Sequence, residues 1–490
     1  MAFPRLINLC LISLLVISCQ QVESPRAPQQ SKVKAASPRP NIVLIVADDL
    51  GYGDLGSYGQ QKIETPFLDQ MAREGMRFTD FYAGSPVCAP SRATLLTGLH
   101  QGHAYVRDNW EAGGWEENDP EGQLPLPMGT YTLSSALQKA GYATACVGKW
   151  GLGGPGSEGA PDNHGFDLFY GYLCQRQAHN FYPTHLWRNQ DKVVLEGNTW
   201  KNLTGKHYSH DLMTEEALSW VETQTEDGER PFFLLLTYTV PHLALQVPED
   251  SLAPYLGRWD DPAYDGKKGY LPHEHPRAAY AGMVSRMDRD VGRLLTLLKE
   301  QGAEENTLVM FTSDNGATFD IGGADTPFFQ GNGVLRGNKG SVYEGGIRVP
   351  MLARWPSQIP AGQVTEAISA FWDLMPTVLE VAGIESPAAT DGKSLLPVLR
   401  GEWSGDSERQ LYWEFPGYGS QQALRQGDWM LLRRGLKKGE GKPELYNLRH
   451  DISQTTDLAD QDPERVAQML ELMQREHTPS ERFPLPGVDS

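Results

Sequence analysis

Cysteine is scarce in this chain, with 5 in 490 residues, and that excludes a disulfide-built scaffold. Cys10 and Cys19 belong to an N-terminal apolar stretch and Cys88 to a motif treated below, so Cys146 and Cys174 leave room for one disulfide at most. Basic charge is also in deficit. Against 62 Asp and Glu stand 43 Lys and Arg, a formal net charge of −19, which argues against nucleic acid as the main partner, because phosphate binding needs a basic footprint. An anionic ligand would require a site that is locally basic inside an acidic protein. Long apolar runs are missing too. The run Leu6 to Ile17 is shorter than the roughly 20 residues that cross a bilayer. No internal repeats are evident. What remains, 40% hydrophobic and 10% aromatic residues, is the composition of an ordinary globular protein with room for one large domain and a smaller one.

The N-terminus reads as an address. Met1 to Arg5 carries one cation, the apolar run follows, and Leu15-Val16-Ile17-Ser18-Cys19 resembles a bacterial lipoprotein cleavage box. The resemblance implies cleavage before Cys19 and lipidation of its sulfur and new amino terminus; the competing reading is a plain signal peptide with an incidental cysteine. The expected division is a signal peptide over 1–18, a flexible tether over 19–39, a main body over 40–398 and a small C-terminal domain over 399–490. The polar Gln-, Ser-, Ala- and Pro-rich segment Gln20 to Pro40 suits a tether. The expected product is exported and membrane-anchored by lipid, in the periplasm or at the cell surface.

Asn41 to Ala47 is a continuous apolar, β-rich run of the kind found in a strand buried on both faces. Pro231 to Tyr238, Asn306 to Thr312 and Val349 to Trp355 repeat the pattern. Helical patterns lie between them at Thr65 to Glu74, Thr132 to Ala140, Asp211 to Thr223, Ala278 to Gln301 and Trp372 to Ala382. Strands alternating with helices predict an α/β sandwich around a largely parallel sheet. Beyond Leu399, short strand-like runs at Gln410 to Phe415, Gln422 to Arg433 and Leu445 to Leu448 precede a helix at Glu464 to Gln474. These predict a small α+β domain with an antiparallel sheet. The Gly- and Pro-rich stretches Gly151 to His164 and Pro248 to Pro276 exceed ordinary loop lengths and are expected to build a site.

Asp48-Asp49 follows the first strand and Asp314-Asn315 the third. Ligands of open α/β sheets bind beyond the carboxyl ends of strands. Carboxylates gathered there repel one another unless a hard cation lies between them, and an all-oxygen donor set suits calcium or magnesium. A paired Asp alone is equally consistent with capping or turns. Cys88 begins a predicted helix, where the dipole favours negative charge and a lowered thiol pKa is expected. Taken by itself it reads as a small buried thiol or as the nucleophile of a cysteine hydrolase.

The segment Cys88-Ala89-Pro90-Ser91-Arg92 continues as Leu95-Leu96-Thr97-Gly98. Elsewhere stand Ala47-Asp48-Asp49-Leu50-Gly51-Tyr52-Gly53-Asp54, Gly148-Lys149-Trp150, Pro241-His242, Ser313-Asp314-Asn315-Gly316 and Gly337-Asn338-Lys339-Gly340. In this order they resemble the type I sulfatase family of the alkaline phosphatase superfamily, from about Pro40 to the final helix. The resemblance implies an alkaline phosphatase-like sandwich and a sulfatase acting on sulfate esters. It implies that a maturation enzyme oxidises Cys88 to formylglycine, and that Asp48, Asp49, Asp314, Asn315 and the modified Cys88 hold calcium. One hydroxyl of the hydrated aldehyde would attack sulfur, and the second would expel sulfate from the resulting ester. Arg92, Lys149 and Lys339 would stabilise the hydrate and the sulfate oxygens, while His242 with Lys339 would protonate the leaving alcohol.

One position departs from the family. Gly148-Lys149-Trp150-Gly151-Leu152-Gly153 carries Gly151 where a histidine is usual, thought to deprotonate the second hydroxyl. His179 is the expected substitute, with His103 and His185 behind it. The stretch containing Gln175, Arg176, His179, Asn180, Tyr182 and Trp187 is expected to bind sugar hydroxyls and ring faces, Gln175, His179 and Asn180 foremost; the competing reading is a folded loop with buried aromatics. A tethered sulfatase of this kind implies a sulfated polysaccharide or oligosaccharide as substrate. The alternatives are a phosphodiester or phosphonate monoester hydrolase of the same superfamily, and a non-catalytic surface glycan-binding protein whose Cys88 stays unmodified.

Overall fold

The run Asn41–Ala47 forms a middle strand of a ten-stranded sheet in the computed structural model. That model describes residues 1–2, 39–114, 116 and 118–489, so most of the expected signal peptide and tether, with Cys10 and Cys19, lies outside the described residues. Asn41–Ala47 pairs in parallel with Phe232–Thr237 on one side and Thr307–Ser313 on the other. The parallel block continues through Ala143–Lys149 to Leu168–Tyr172. Antiparallel strands close both flanks: His185–Arg188 and Asp191–Val194 beyond one edge, and Met351–Arg354 beside Thr307–Ser313 at the other. Met76–Phe78 and Gln363–Thr365 complete the sheet.

Alternation along the middle strand separates two cores. Val43, Ile45 and Ala47 join one cluster with Leu68, Met71, Met213, Val221, Met283, Met287 and Leu294. These come from the helices Pro66–Glu74, Ser209–Asp227 and Pro276–Glu300. Ile42, Leu44 and Val46 face the opposite cluster, with Leu95, Leu96, Leu133, Leu137, Leu374 and Val378 from the helices Cys88–Thr97, Leu133–Lys139 and Leu374–Val381. A strand covered on both faces needs no polar residue in its period, which is why the run reads as unbroken apolar sequence.

The strand Ala143–Lys149, Ala-Thr-Ala-Cys-Val-Gly-Lys, is buried throughout although its small and polar residues conceal it from a hydrophobicity scan. Cys146 within it and Cys174 are both free and buried, so the disulfide allowed by cysteine number does not form. Among the described residues no helix is long and apolar enough to cross a membrane.

The C-terminal region forms a four-stranded antiparallel sheet of Gln410–Phe415, Gln421–Gln426, Trp429–Arg434 and Pro443–Asn447. The single strand expected over Gln422 to Arg433 is therefore a hairpin, turned at Gly427 and Asp428, with Gly427 at φ 55°; a Gly-Asp pair between strand-like runs is a turn signal. Helix Pro463–Glu476 covers one face, where Met469 and Met473 meet Tyr412, Leu424 and Leu431. The other face meets the large sheet's surroundings: Trp413, Phe415 and Leu432 cluster with Tyr82, Val87, Val342 and Ile347. Trp413 is fully buried and its indole N–H donates to the Ala83 carbonyl at 2.9 Å. Trp413→Ala is expected to cost about 3–5 kcal/mol of unfolding free energy, read from urea denaturation; a loss under about 1 kcal/mol would show that this seam does not depend on the indole.

Candidate active site

Parallel strands place their carboxyl ends on one side of the sheet. Asp48 and Asp49 follow the first strand, Asp314 and Asn315 follow Thr307–Ser313, Lys149 ends Ala143–Lys149, and His242 lies just beyond Phe232–Thr237. All six are buried, none more than 3% exposed. Asp49 sits at φ 63°, the left-handed region that Asp and Asn enter more readily than other non-glycine residues.

The charges are paired across the strand ends. Lys149 Nζ donates to Asp48 Oδ2 at 2.6 Å. Arg92 donates through Nε and Nη2 to Asp314 Oδ2 at 3.2 and 2.8 Å, and through Nη1 to the Lys149 carbonyl at 2.6 Å. Lys339 Nζ lies 2.8 Å from Asp49 Oδ1. Three cations thus balance three carboxylates, and a divalent ion added to this set leaves a net positive site for an anion. The donor chemistry fits such an ion. Asn315 donates its amide N–H to Asp49 Oδ1 at 2.8 Å, while its own Oδ1 is buried without a partner. An orphaned amide oxygen beside three buried carboxylates is an all-oxygen set for a hard cation.

Cys88 is the first residue of the helix Cys88–Thr97, with Pro90 in its first turn, a position where a missing N–H costs nothing. Arg92 follows one turn later on the same face. The thiol donates to Asp48 Oδ1 at 3.3 Å and accepts from Lys339 Nζ at 3.3 Å. Cys88 therefore stands where the carboxylate cluster and the cations meet.

A family model described as Sulfatase matches residues 40–384, and one described as N-sulphoglucosamine sulphohydrolase, C-terminal, matches 337–478. The chain belongs to the sulfatase family. It is 32% identical to the mouse N-acetylgalactosamine-6-sulfatase over 502 residues, covering 96% of this chain and 85% of that one. With bovine arylsulfatase A the identity is 36% over 405 residues, 78% of this chain and 72% of the relative. A crystal structure of Ps i-CgsB in complex with k-i-k-neocarrahexaose superposes with a TM-score of 0.75 at 29% identity, covering 89% of this chain and 92% of that one. The chain is accordingly a sulfuric ester hydrolase.

The sulfatase brings the expected nucleophile, cation and carboxylate residues together. Of the three histidines considered in place of Gly151, His179 is at the site: its ring stacks on His242 with centroids 4.4 Å apart and planes at 16°. His103 is paired with Asp391 and His185 with Glu121. Gln175 is 1% exposed, and a Cβ built on Gly151 would come 3.1 Å from its unpartnered Oε1. The Gln175 side chain thus occupies the space that a larger residue at 151 would use. Asn180 Oδ1 accepts from the Tyr182 N–H and from Gln246 Nε2, both at 3.1 Å, which ties it into the loop that carries His179. Sequence reasoning missed Tyr270, whose ring lies 5.6 Å from His179 and 6.2 Å from His242. It comes from the Gly- and Pro-rich stretch Pro248 to Pro276, whose length was the only signal.

Burial dominates the electrostatics. It would raise Asp48, yet Lys149, His242, Arg92 and Lys339 hold that carboxyl well below the usual range. Asp314 is pushed up to about 6 by burial, with the Asp48 charge adding to it. Burial and Lys339 push His242 down to about 4. The lowered thiol pKa expected from the helix N-terminus is overturned: burial, then the charges of Asp314 and Asp48, raise Cys88 well above its ordinary value. Desolvation and two adjacent carboxylates outweigh the dipole. Unmodified Cys88 is expected to react with iodoacetamide at neutral pH at least about tenfold more slowly in the folded protein than in the urea-unfolded chain. Mass measurement of the Cys88 peptide follows the reaction, and equal rates would contradict the shielded thiol.

Proposed function

We propose that this sulfatase removes sulfate from sulfated saccharides, with formylglycine made from Cys88 as nucleophile and calcium held by Asp48, Asp49, Asp314, Asn315 and the modified Cys88. The observation that carries the reading is the placement of Cys88 Sγ, 3.3 Å from both Asp48 Oδ1 and Lys339 Nζ, at a buried point ringed by cations. The thiol sulfur stands in for a hydroxyl oxygen of the hydrated aldehyde. That hydrate supplies two hydroxyls on one carbon, one for attack and one for release, so water need not attack a hindered sulfur. The ion, when bound, supplies positive charge against the nucleophile and the sulfate oxygens. The saccharide is supported by relatives named for N-acetylgalactosamine 6-sulfate and by the structure holding a neocarrahexaose. Two further parts of this reading rest on sequence: a maturation enzyme acting on Cys88-Ala89-Pro90-Ser91-Arg92, and a lipid anchor at Cys19.

The chain's own groups divide the work. Arg92 and Lys149 hold the carboxylates in place and add positive charge where the sulfate oxygens would lie. His242 donates through Nδ1 to the Leu243 carbonyl at 2.6 Å, which leaves Nε2 as the free nitrogen, 3.5 Å from Asp49 Oδ2. His242 is neutral near pH 7, so Lys339 Nζ is the store of the proton that the leaving alcohol needs, and His242 Nε2 is its neighbour in that transfer. His179 takes the place of the histidine absent at Gly151. Burial, then His242 and Lys149, hold its pKa well below the ordinary value, so it is a neutral base beside the nucleophile's pocket.

Protein from the native host is expected to carry oxygen in place of sulfur at residue 88 by peptide mass, and to hydrolyse an aryl sulfate in preference to an aryl phosphate diester. An unmodified thiol would end this mechanism, and a strong preference for phosphorus would favour the phosphodiester or phosphonate alternative. His179→Ala is expected to lower kcat about a hundredfold. One equivalent of alcohol should still appear in a rapid burst, because release of sulfate is the step affected. Full turnover by His179→Ala would remove that residue from the mechanism.

A further inference from the structure

Tyr418 is 67% exposed, yet its ring is packed against other residues on one side. It lies in the turn between the strands Gln410–Phe415 and Gln421–Gln426, at φ 44°, a conformation a tyrosine keeps only when its surroundings impose it. The edge-on ring of Phe415 braces it at 5.6 Å. Its own ring lies on Gly340, where a Cβ would come within 2.2 Å. Gly340 in turn is pinned: its N–H donates to the Pro86 carbonyl and its carbonyl accepts from Gln421 Nε2, both at 2.8 Å. Tyr418 is thereby fixed beside Lys339, whose Nζ touches Cys88 Sγ.

Tyr418 and Lys339 share a cavity of about 470 Å³ with Phe319, Asn338, Ser341 and Tyr343, within the range of about 300–1,000 Å³ typical of small-ligand sites. Tyr343 is already taken up by the guanidinium groups of Arg336 and Arg434, 4.1 and 4.4 Å from its centroid. Tyr418 and Phe319, the latter 38% exposed, remain as the accessible rings. An aromatic face beside hydroxyl, amide and ammonium groups suits a sugar, which offers a C–H face to the ring and hydroxyls to the polar groups. A purely apolar ligand would leave those groups unpaired.

Depth decides which sugar. Cys88, Arg92 and Lys149 are no more than 4% exposed, whereas Tyr418 is 67% exposed, so a sulfate that reaches Cys88 lies deep and Tyr418 faces what stays outside. Tyr418 is still close enough for the charges of Lys339, Cys88 and Asp49 to act on its hydroxyl. We propose that Tyr418 is the stacking platform for the sugar ring next to the sulfated one, so that the enzyme reads an oligosaccharide of at least two rings. The inference rests on the saccharide sulfatase reading above and adds the length of its substrate.

The test uses formylglycine-bearing enzyme on three kinds of probe: 6-sulfated chondroitin and carrageenan oligosaccharides, the matching sulfated monosaccharides, and a small aryl sulfate. Tyr418→Ala is expected to lower kcat/KM about tenfold more for an oligosaccharide than for its monosaccharide, mainly through KM. Tyr418→Phe should keep that ratio within about twofold of the parent, since the ring face makes the contact and the hydroxyl does not. Equal losses on both substrates, an unchanged ratio, or a parent enzyme that prefers monosaccharides would overturn the inference. A parent enzyme active on the aryl sulfate and inactive on every saccharide would instead overturn the saccharide reading, and this inference with it.

Discussion

The structure depends on charges buried where water cannot reach them. Asp48, Asp314, Arg92 and Lys149 lie at the end of a sheet sealed on both faces, each no more than 4% exposed. Removing any of these from water costs several kcal/mol, and only mutual pairing offsets that cost. Arg92 answers it with a two-pronged contact to Asp314 and a third bond to the Lys149 carbonyl, so one side chain joins a helix to two strand ends. A cluster built this way has little freedom to rearrange, which is what a nucleophile and an anion site require. Stability and chemistry therefore rest on the same contacts.

Everything around the cluster serves to hold that geometry. The two cores grip the middle strand from opposite faces, which sets the height at which Asp48 and Asp49 emerge. The helix Cys88–Thr97 packs through Ala93, Leu95 and Leu96 into one of those cores, and so aims its first residue at the strand ends. The small antiparallel sheet packs against Val87, immediately before Cys88, together with Val342 and Ile347 from the segment that follows Lys339. The C-terminal sheet thus steadies both sides of the site, and its turn carries Tyr418 into the cavity that Lys339 lines.

Local and global charge have opposite signs here, and both have a use. The chain as a whole carries −19, which favours solubility and repels polyanions at random points of the surface. Inside, three cations balance three carboxylates, and a divalent ion held there would turn the balance positive and favour an anion.

Much of this was legible in sequence because it is written in local chemistry. The apolar run Asn41 to Ala47, the carboxylates after it, and Cys88-Ala89-Pro90-Ser91-Arg92 each declare their role within a few residues, since burial on two faces, strand ends and helix starts impose short-range patterns. The strand Ala143–Lys149 escaped because small and polar residues can fill a central strand once neighbours cover it. The thiol pKa was misjudged for a related reason: the helix dipole is visible in sequence, whereas the carboxylates that outweigh it arrive from distant segments. The sequence by itself determined the family, the strands Asn41–Ala47, Phe232–Thr237 and Thr307–Ser313, and the identity of the chemical groups. Only the tertiary structure decided that His179, and neither His103 nor His185, stacks on His242, that Gln175 fills the space at Gly151, and that Tyr418 stands beside Lys339. Such contacts join residues tens of positions apart, and chain folding alone brings them within reach.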